Sequence, residues 1–412
     1  MSVVQSSLPF DPARHEPLQH RTWNEADVLS AIARIVADAD AHFSPDTYWP
    51  SHPLDHDDGE VVTRGDTPLY HGACGMLWAI DYVGARAVAA TAARNVAELD
   101  RLLARNRCWL GASAARERAS FLMGDTPMQL MAYAIDPSEA RGHALAALIG
   151  GNVEHPAREL MWGAPGTLLA ALFLHERTGD ARWADLYRRT ATALWRALAW
   201  SDVHRCAYWT QDLYGRRSTY LGAVHGFVAT ALPLIHGRHL MDAAQWSRWE
   251  RRIVETVRQT VDRHGAHVNW PAHLDAPRDA QKRLLQFCHG APGFVVCLAD
   301  LPTRELDDLL LAAGETIWSA GPLAKGANLC HGTGGNGYAF LKLYVRTADR
   351  KWLERARAFA MHGIVQTDEA RERHGQGRYS LWTGDIGFAI YLRDCMQAQA
   401  RFPTLDVFHR PA

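Results

Sequence analysis

The sequence predicts an all-α fold: an α/α toroid, or double barrel, in which seven inner helices are ringed by seven outer ones. Three observations carry that reading. A Gly-x-x-Gly frame recurs seven times along the 412 residues, the signature of a repeat architecture. A run that is apolar on nearly every face follows each frame, the pattern of a helix buried all round. Amphipathic stretches with apolar residues at i, i+3 and i+4 fill the intervals, and strand signals are nearly absent.

Residues 1–69 form an N-terminal segment with one outer helix ahead of the first frame, and 1–412 reads as a single toroid domain. Copy one is HGACGMLWAI, with Gly72 and Gly75. Copy two, FLMGDTPMQLMAY, keeps Gly124 but has Pro127 in the second glycine slot. Copy three is WGAPGTLLAAL, with Gly163 and Gly166, and amphipathic RWADLYRRTATALWRALAW follows at 182–200. Copy four, VHGFVATALPL, keeps Gly226 with Ala229 in the second slot, and AQWSRWERRIVETVRQTVDRHG follows at 244–265. Copies five and six are HGAPGFVVCL (Gly290, Gly293) and HGTGGNGYAFL (Gly332, Gly335). RKWLERARAFAMHGI at 350–364 then leads to copy seven, TGDIGFAIYL (Gly384, Gly387). Successive first glycines lie roughly 40 to 65 residues apart, room for two helices per repeat. Seven such turns crowd toward one end of a ring, where glycine lets backbones approach closely. These frames are not phosphate loops: no Gly-Lys-Ser/Thr follows them and no strand precedes them.

The chain is 48% hydrophobic and 22% charged, enough apolar material for a large core. Lys and Arg number 44 against 45 Asp and Glu, for a net charge of −1, so no basic excess argues for nucleic acid. The first residues, MSVVQSSLPFDPARHEP, lack the basic start and apolar core of a secretory signal, and no apolar run is long enough to span a membrane. Seven cysteines, an odd number in a long chain, read as free thiols in a reducing, cytoplasmic compartment.

The chemistry concentrates in FCHGAPG at 287–293 and LCHGTGG at 329–335. Cys288 and Cys330 hold equivalent slots of successive frames, as do His289 and His331, so they should face one central cavity. Two thiols and an imidazole make a soft donor set suited to zinc, and three protein ligands with an open position make such a site catalytic. Four candidates are present for those three places. His225 precedes Gly226 in the same slot of copy four; it reads as a general acid or base, or as a hydrogen-bonded buried histidine. His71 holds that slot in copy one. Glu159, in ELMWGAPG, either orients an imidazole or caps a helix. Lys325, five residues before Cys330, either reaches a substrate carboxylate or is a solvated surface lysine. Cys297 and Cys395 lie in inner-helix apolar runs and read as core. A rival reading, a glycosidase or lyase run by two carboxylates, has Asp125 and Asp385 after first glycines but leaves the Cys-His pairs unexplained.

At ELMWGAPG, YLGAVHG, NWPAHLDAPRDAQKRLLQFCHGAPG, LAKGANLCHGTGGNGYAFLKLY and SLWTGDIGFAIYL the chain resembles the lanthionine synthetase C-like family. The resemblance covers nearly the whole length, with all seven glycine frames in order. It implies a toroid with a central zinc held by Cys288, Cys330 and His331, with His289 as a neighbour. It also implies His225 as the acid/base and Glu159 as the acidic residue ahead of the third frame. The CHGAPG, NWP and KG-x-x-LCHG wording is more similar to the stand-alone, glutathione-binding branch than to the peptide-cyclising one. That implies glutathione as co-substrate, with Lys325 and Arg378 as binding residues. The implied activity is zinc-dependent addition of a thiol to dehydroalanine or dehydrobutyrine residues in peptides or proteins, forming a thioether. The alternatives are a lanthipeptide cyclase closing (methyl)lanthionine rings with a peptide thiol, and a non-catalytic glutathione- or peptide-binding scaffold. A dehydratase or kinase is the implied partner class. Two features depart from the branch: the N-terminal segment lacks an equivalent of its early Arg, and 48–69 reads as an extra loop. The spacing between Arg378 and SLWTG is also altered.

Overall fold

A ring of backbone hydrogen bonds joins all seven glycine frames. The computed structural model describes residues 8–55, 65–111, 116–277 and 281–409; parts of the N-terminal segment and of the extra loop lie outside them. Going round the ring, Tyr70 N–H donates to the Leu122 carbonyl at 3.0 Å, Leu122 to Met161 at 3.4 Å, and Leu160 to Val224 at 3.1 Å. Ala223 donates to Cys288 at 3.2 Å, Cys288 to Cys330 at 3.0 Å, and Cys330 to Trp382 at 2.9 Å. Trp382 closes the circle onto the Tyr70 carbonyl at 3.1 Å.

Around this ring stand fifteen α-helices among the described residues: α1 (Glu25–Ala41), α2 (Ala73–Val83), α3 (Val88–Ala93), α4 (Val96–Leu110), α5 (Thr126–Ile135), α6 (Glu139–Asn152), α7 (Ala164–Thr178), α8 (Ala181–Arg196), α9 (Phe227–His236), α10 (Ala243–Thr260), α11 (Ala291–Leu298), α12 (Asp307–Ala320), α13 (Thr333–Thr347), α14 (Arg350–His374) and α15 (Asp385–Gln397). The seven inner helices are α2, α5, α7, α9, α11, α13 and α15, each starting directly after its first glycine except α5, which starts one residue later, after Asp125. The outer ring is α1, α4, α6, α8, α10, α12 and α14, with short α3 added ahead of α4. The α/α toroid read from the sequence is the observed fold.

The two helix types follow from their patterns. In α7 every residue from Ala164 to Leu174 is buried, so no face meets water. In α8 burial falls on Trp183, Ala184, Tyr187, Ala191 and Leu194, one stripe of a 3.6-residue period. Asp180 caps its start, accepting from Arg182 N–H at 2.9 Å, and Gly179 just before it ends α7 in the left-handed region at φ 67°. The second glycines are required by close approach. A Cβ on Gly293 would lie 2.0 Å from the Phe287 carbonyl oxygen and 2.6 Å from Ala223 Cβ on the neighbouring turn. The C-terminal segment closes the inner barrel, with Phe402 stacked on Phe287 at 4.4 Å and Phe408 against Phe121 and Phe173.

The structure adds three antiparallel hairpins that the sequence reading lacked: β1 (Ala199–Ser201) with β2 (Cys206–Tyr208), β3 (Gln211–Leu213) with β4 (Arg216–Ser218), and β5 (Asp262–His264) with β6 (His267–Asn269). They shorten the amphipathic stretches, so α8 and α10 end at Arg196 and Thr260. Strands of three residues are too short to show an alternation. The β3–β4 turn places Tyr214 and Gly215 at φ 53° and 72°, where Asn-Gly would have given the hairpin away.

Candidate metal centre

Adjacent frames bring the two sulfurs together. Because Cys288 N–H bonds the Cys330 carbonyl, frames five and six run side by side, and their side chains enter the same space. One donor atom each of Cys288, Cys330 and His331 lies within 4.8 Å of the other two. Cys288 is 8% exposed and Cys330 3%, and both are free thiols.

Each sulfur has a donor aimed at it. Tyr70 Oη donates to Cys330 Sγ at 2.9 Å, and Gln286 Nε2 donates to Cys288 Sγ at 3.0 Å. Burial, reinforced by both cysteines, holds the Tyr70 phenol well above its ordinary range, so it stays a donor. Within the pair, the hydrogen bond from Cys330 lowers Cys288, with Gln286 adding to it, while the same contact and burial raise Cys330. Cys288 is therefore the first of the two to become a thiolate. The His331 imidazole is pushed down to about 4 by burial and by the charges of Lys325 and Arg378, leaving it neutral, as a ligand must be. Asn328 Oδ1 accepts from His331 N–H at 3.0 Å and fixes the backbone behind it. Buried sulfurs with donors and a neutral imidazole fit zinc.

His289 stays out of this group. Gly290 takes φ 109°, in the left-handed region, whereas Gly332 is extended at −122°, so the two Cys-His-Gly frames differ in backbone. The His289 ring instead faces Tyr220 at 5.7 Å, and burial with the nearby His225 pushes its pKa down to about 3.

His225 and Glu159 form a second group beside the first. His225 Nδ1 lies 2.8 Å from Glu159 Oε2, and the Glu159 side chain is fully buried. The same carboxylate accepts from Met161 N–H at 2.8 Å and Trp162 N–H at 2.6 Å, so Glu159 both orients the imidazole and ties down the turn ahead of α7. Burial alone would lower the His225 pKa, but the bond to Glu159, its charge and that of Cys288 outweigh it and raise the net value. That raised value favours the folded state while His225 is protonated. The stability is fully present below the unfolded pKa of 6.5 and is lost as pH climbs through the folded value. Glu159→Gln is expected to lower the His225 pKa, because it removes the opposite charge that raises it. Titration of its imidazole resonance by NMR checks this, and an unmoved midpoint would mean that the carboxylate does not set the charge state of His225.

The remaining sequence candidates are placed as follows. Lys325 is exposed, and its charge acts on both Cys288 and His331. Arg378 acts on Cys330 and His331 but is itself paired with Asp55. His71 lies 3.7 Å from Asp66 and edge-on to Trp109. Three residues were missed. Tyr70 occupies in copy one the slot held by the cysteines in copies five and six, so slot equivalence could have found it. Gln286, two residues before Cys288, carried no signal. Arg14 comes from the N-terminal segment, donates to Gln286 Oε1 at 3.3 Å and is pinned by Ala324 N–H on its carbonyl at 3.0 Å. A second acidic group, His236, Asp300 and Asp406, is filled by Lys342, whose Nζ lies 2.6 and 2.8 Å from the two carboxylates.

The family described as lanthionine synthetase C-like protein matches residues 64–407. A zebrafish (Danio rerio) relative named glutathione S-transferase LANCL1 is 32% identical over 272 residues, which are 60% of this chain and 62% of that protein. An Arabidopsis thaliana relative named LanC-like protein GCL1 is 28% identical over 262 residues, 60% of this chain and 58% of that one. The chain thus spans about three fifths of the length of these curated relatives. Among solved structures, nisin cyclase superposes with a TM-score of 0.56 at 15% identity, covering 89% of this chain and 94% of that one, a likeness of fold.

Proposed function

The chain belongs to the lanthionine synthetase C-like family, and on that premise we propose that it adds a thiol, glutathione, to dehydroalanine or dehydrobutyrine residues in peptides or proteins, forming a thioether. The observation that carries the reading is the pair of buried sulfurs, each with its own donor, beside a neutral imidazole and next to a carboxylate-held histidine. The name of the zebrafish relative supports the choice of thiol. Cys288, Cys330 and His331 are the proposed zinc ligands. Zinc held by two thiolates and a neutral imidazole supplies Lewis acidity that lets an incoming thiol lose its proton at neutral pH.

The chain's own residues do the rest. The donors from Tyr70 and Gln286 stabilise the ligand sulfurs as anions. Lys325 supplies a positive charge for a carboxylate of the thiol substrate. When the substrate sulfur bonds to the β-carbon of the acceptor, the double-bond electrons move to the α-carbon and its carbonyl. That carbanion needs a proton, and His225, whose protonated form the Glu159 carboxylate favours, gives it. Burial of the centre limits competing water. Free thiols suit a reducing compartment, and we place the protein in the cytoplasm. Among the described residues no helix is long and apolar enough to cross a membrane.

Mass spectrometry of a dehydroalanine peptide incubated with the zinc-loaded protein and glutathione tests the reaction. A glutathione adduct is the expected product, and its absence would overturn the reading. Calorimetry tests the thiol: glutathione should bind saturably, and Lys325→Ala should weaken it about two- to fivefold, the scale of an exposed ion pair. No binding at millimolar glutathione, with ring closure of a dehydrated Cys-containing peptide instead, would reassign the chain as a lanthipeptide cyclase. Binding without any turnover would make it a scaffold.

A further inference from the structure

A strap from the N-terminal segment, residues 51–55, is bonded to the turn just ahead of the seventh frame. His52, only 3% exposed, stands edge-on to His374 with ring centroids 4.7 Å apart. The Ser51 carbonyl accepts from Gln376 Nε2 at 3.0 Å. Two residues on, Arg378 Nε donates to Asp55 Oδ1 at 2.8 Å, Nη2 donates to the same oxygen, and Nη2 reaches the Leu54 carbonyl at 3.3 Å. Both partners are sheltered, with side chains 15% and 12% exposed. A sheltered guanidinium–carboxylate pair is stronger than a surface one, and removing one partner leaves the other uncompensated.

The contact lies beside the metal centre. Trp382, four residues after Arg378, accepts from Cys330 N–H at 2.9 Å, and the Arg378 charge is felt at Cys330, His331 and the Tyr70 hydroxyl. Lys325 and Arg14 act on the same imidazole. Of these three cations, Lys325 is exposed, Arg14 bonds Gln286, and Arg378 already holds a carboxylate supplied by its own chain, 323 residues away.

We propose that Asp55 determines the charge selectivity of the thiol site: its carboxylate occupies Arg378 in the place a substrate carboxylate would take. With the strap seated, an anionic thiol is held through Lys325 and gains nothing from a second carboxylate. With Asp55 neutralised, Arg378 becomes free and a dicarboxylate thiol is preferred. The identity of the ligand rests on the thiol-addition reading above, since glutathione carries two carboxylates; the Asp55–Arg378 contact does not. An internal competitor lowers apparent affinity by the fraction of molecules in which the site is free.

Calorimetric titration with S-methylglutathione reads this subsite apart from catalysis, because that ligand keeps both carboxylates but has no thiol to offer a metal. Asp55→Asn is expected to bind it about fivefold more tightly than wild type, the factor when a free Arg378 is worth about tenfold and its own carboxylate holds it roughly 90% of the time. The gain should vanish for the glycyl ethyl ester of the same ligand, and in Asp55→Asn/Arg378→Gln. Unchanged or weaker binding by Asp55→Asn at an unchanged melting temperature would overturn the proposal, as would no binding by either protein at millimolar ligand. Wild type gives a check that needs no variant: ligand and ester should bind within about twofold of each other, whereas a tenfold preference for the free acid would also overturn it. Loss of glutathione turnover with this binding pattern intact would count against the chemistry proposed above and not against Asp55.

Discussion

Wild type is expected to purify with roughly one zinc per chain, and Cys330→Ala with far less and with at least about 100-fold weaker binding of added zinc. Hydrogen-bond partners of zinc ligands already contribute about 10–100-fold, and a ligand contributes more. The substitution removes a donor that is 3% exposed and leaves the half-buried Tyr70 hydroxyl without its acceptor. Cys288→Ala should behave alike, because it strands Gln286 Nε2. The imidazoles should separate: His331→Ala loses zinc, whereas His289→Ala retains most of it, since the His289 ring lies against Tyr220 and outside the ligand group. Metal analysis together with chelator competition reads all four variants. Full occupancy in Cys330→Ala, or a greater loss in His289→Ala than in His331→Ala, would overturn the ligand set.

His225→Ala should do the opposite, keeping zinc and losing thioether formation by about 10²–10⁴, the usual contribution of a positioned general acid. The ring is set for that work by one contact, the 2.8 Å bond from Nδ1 to Glu159, which fixes the tautomer and leaves Nε2 for proton exchange. Glu159 is held in turn by two backbone N–H groups, so it cannot swing away with the proton. Product analysis and metal content on the same sample distinguish the outcomes. Wild-type turnover in His225→Ala would mean that another group protonates the α-carbon. Loss of zinc would make His225 a ligand.

The frames and the long helices were legible because their signals are local. Seven repeated glycines with an apolar run after each leave little choice but stacked helix pairs, and α7 and α8 fall within a few residues of where periodicity puts them. Cys288 and Cys330 were legible as a pair because the repeat makes their slots equivalent. Spacing could not separate His289 from His331, because that choice depends on the backbone at Gly290, which sits at φ 109° in a frame otherwise written like its neighbour. Gln286 and Arg14 were invisible for a different reason. The Arg14 contact exists only after the N-terminal segment pairs with the loop before Lys325, as His15 does with Leu323, and the bond from Gln286 to Cys288 is a side-chain contact that no repeat or period encodes. The short hairpins had no period to detect, and the partner of Arg378 lay more than three hundred residues upstream.

Tyr70 carries one last implication, about order of assembly. Frames five and six are neighbours in sequence and can meet early, so the two cysteines and His331 can gather while much of the ring is still open. The Tyr70 hydroxyl is 260 residues from Cys330 and arrives only when the first frame docks on the seventh. Closure over so long a loop is entropically slow. The Tyr70 donor to Cys330 is therefore the last part of the sulfur site to be put in place, and the turn that carries it acts as the clasp.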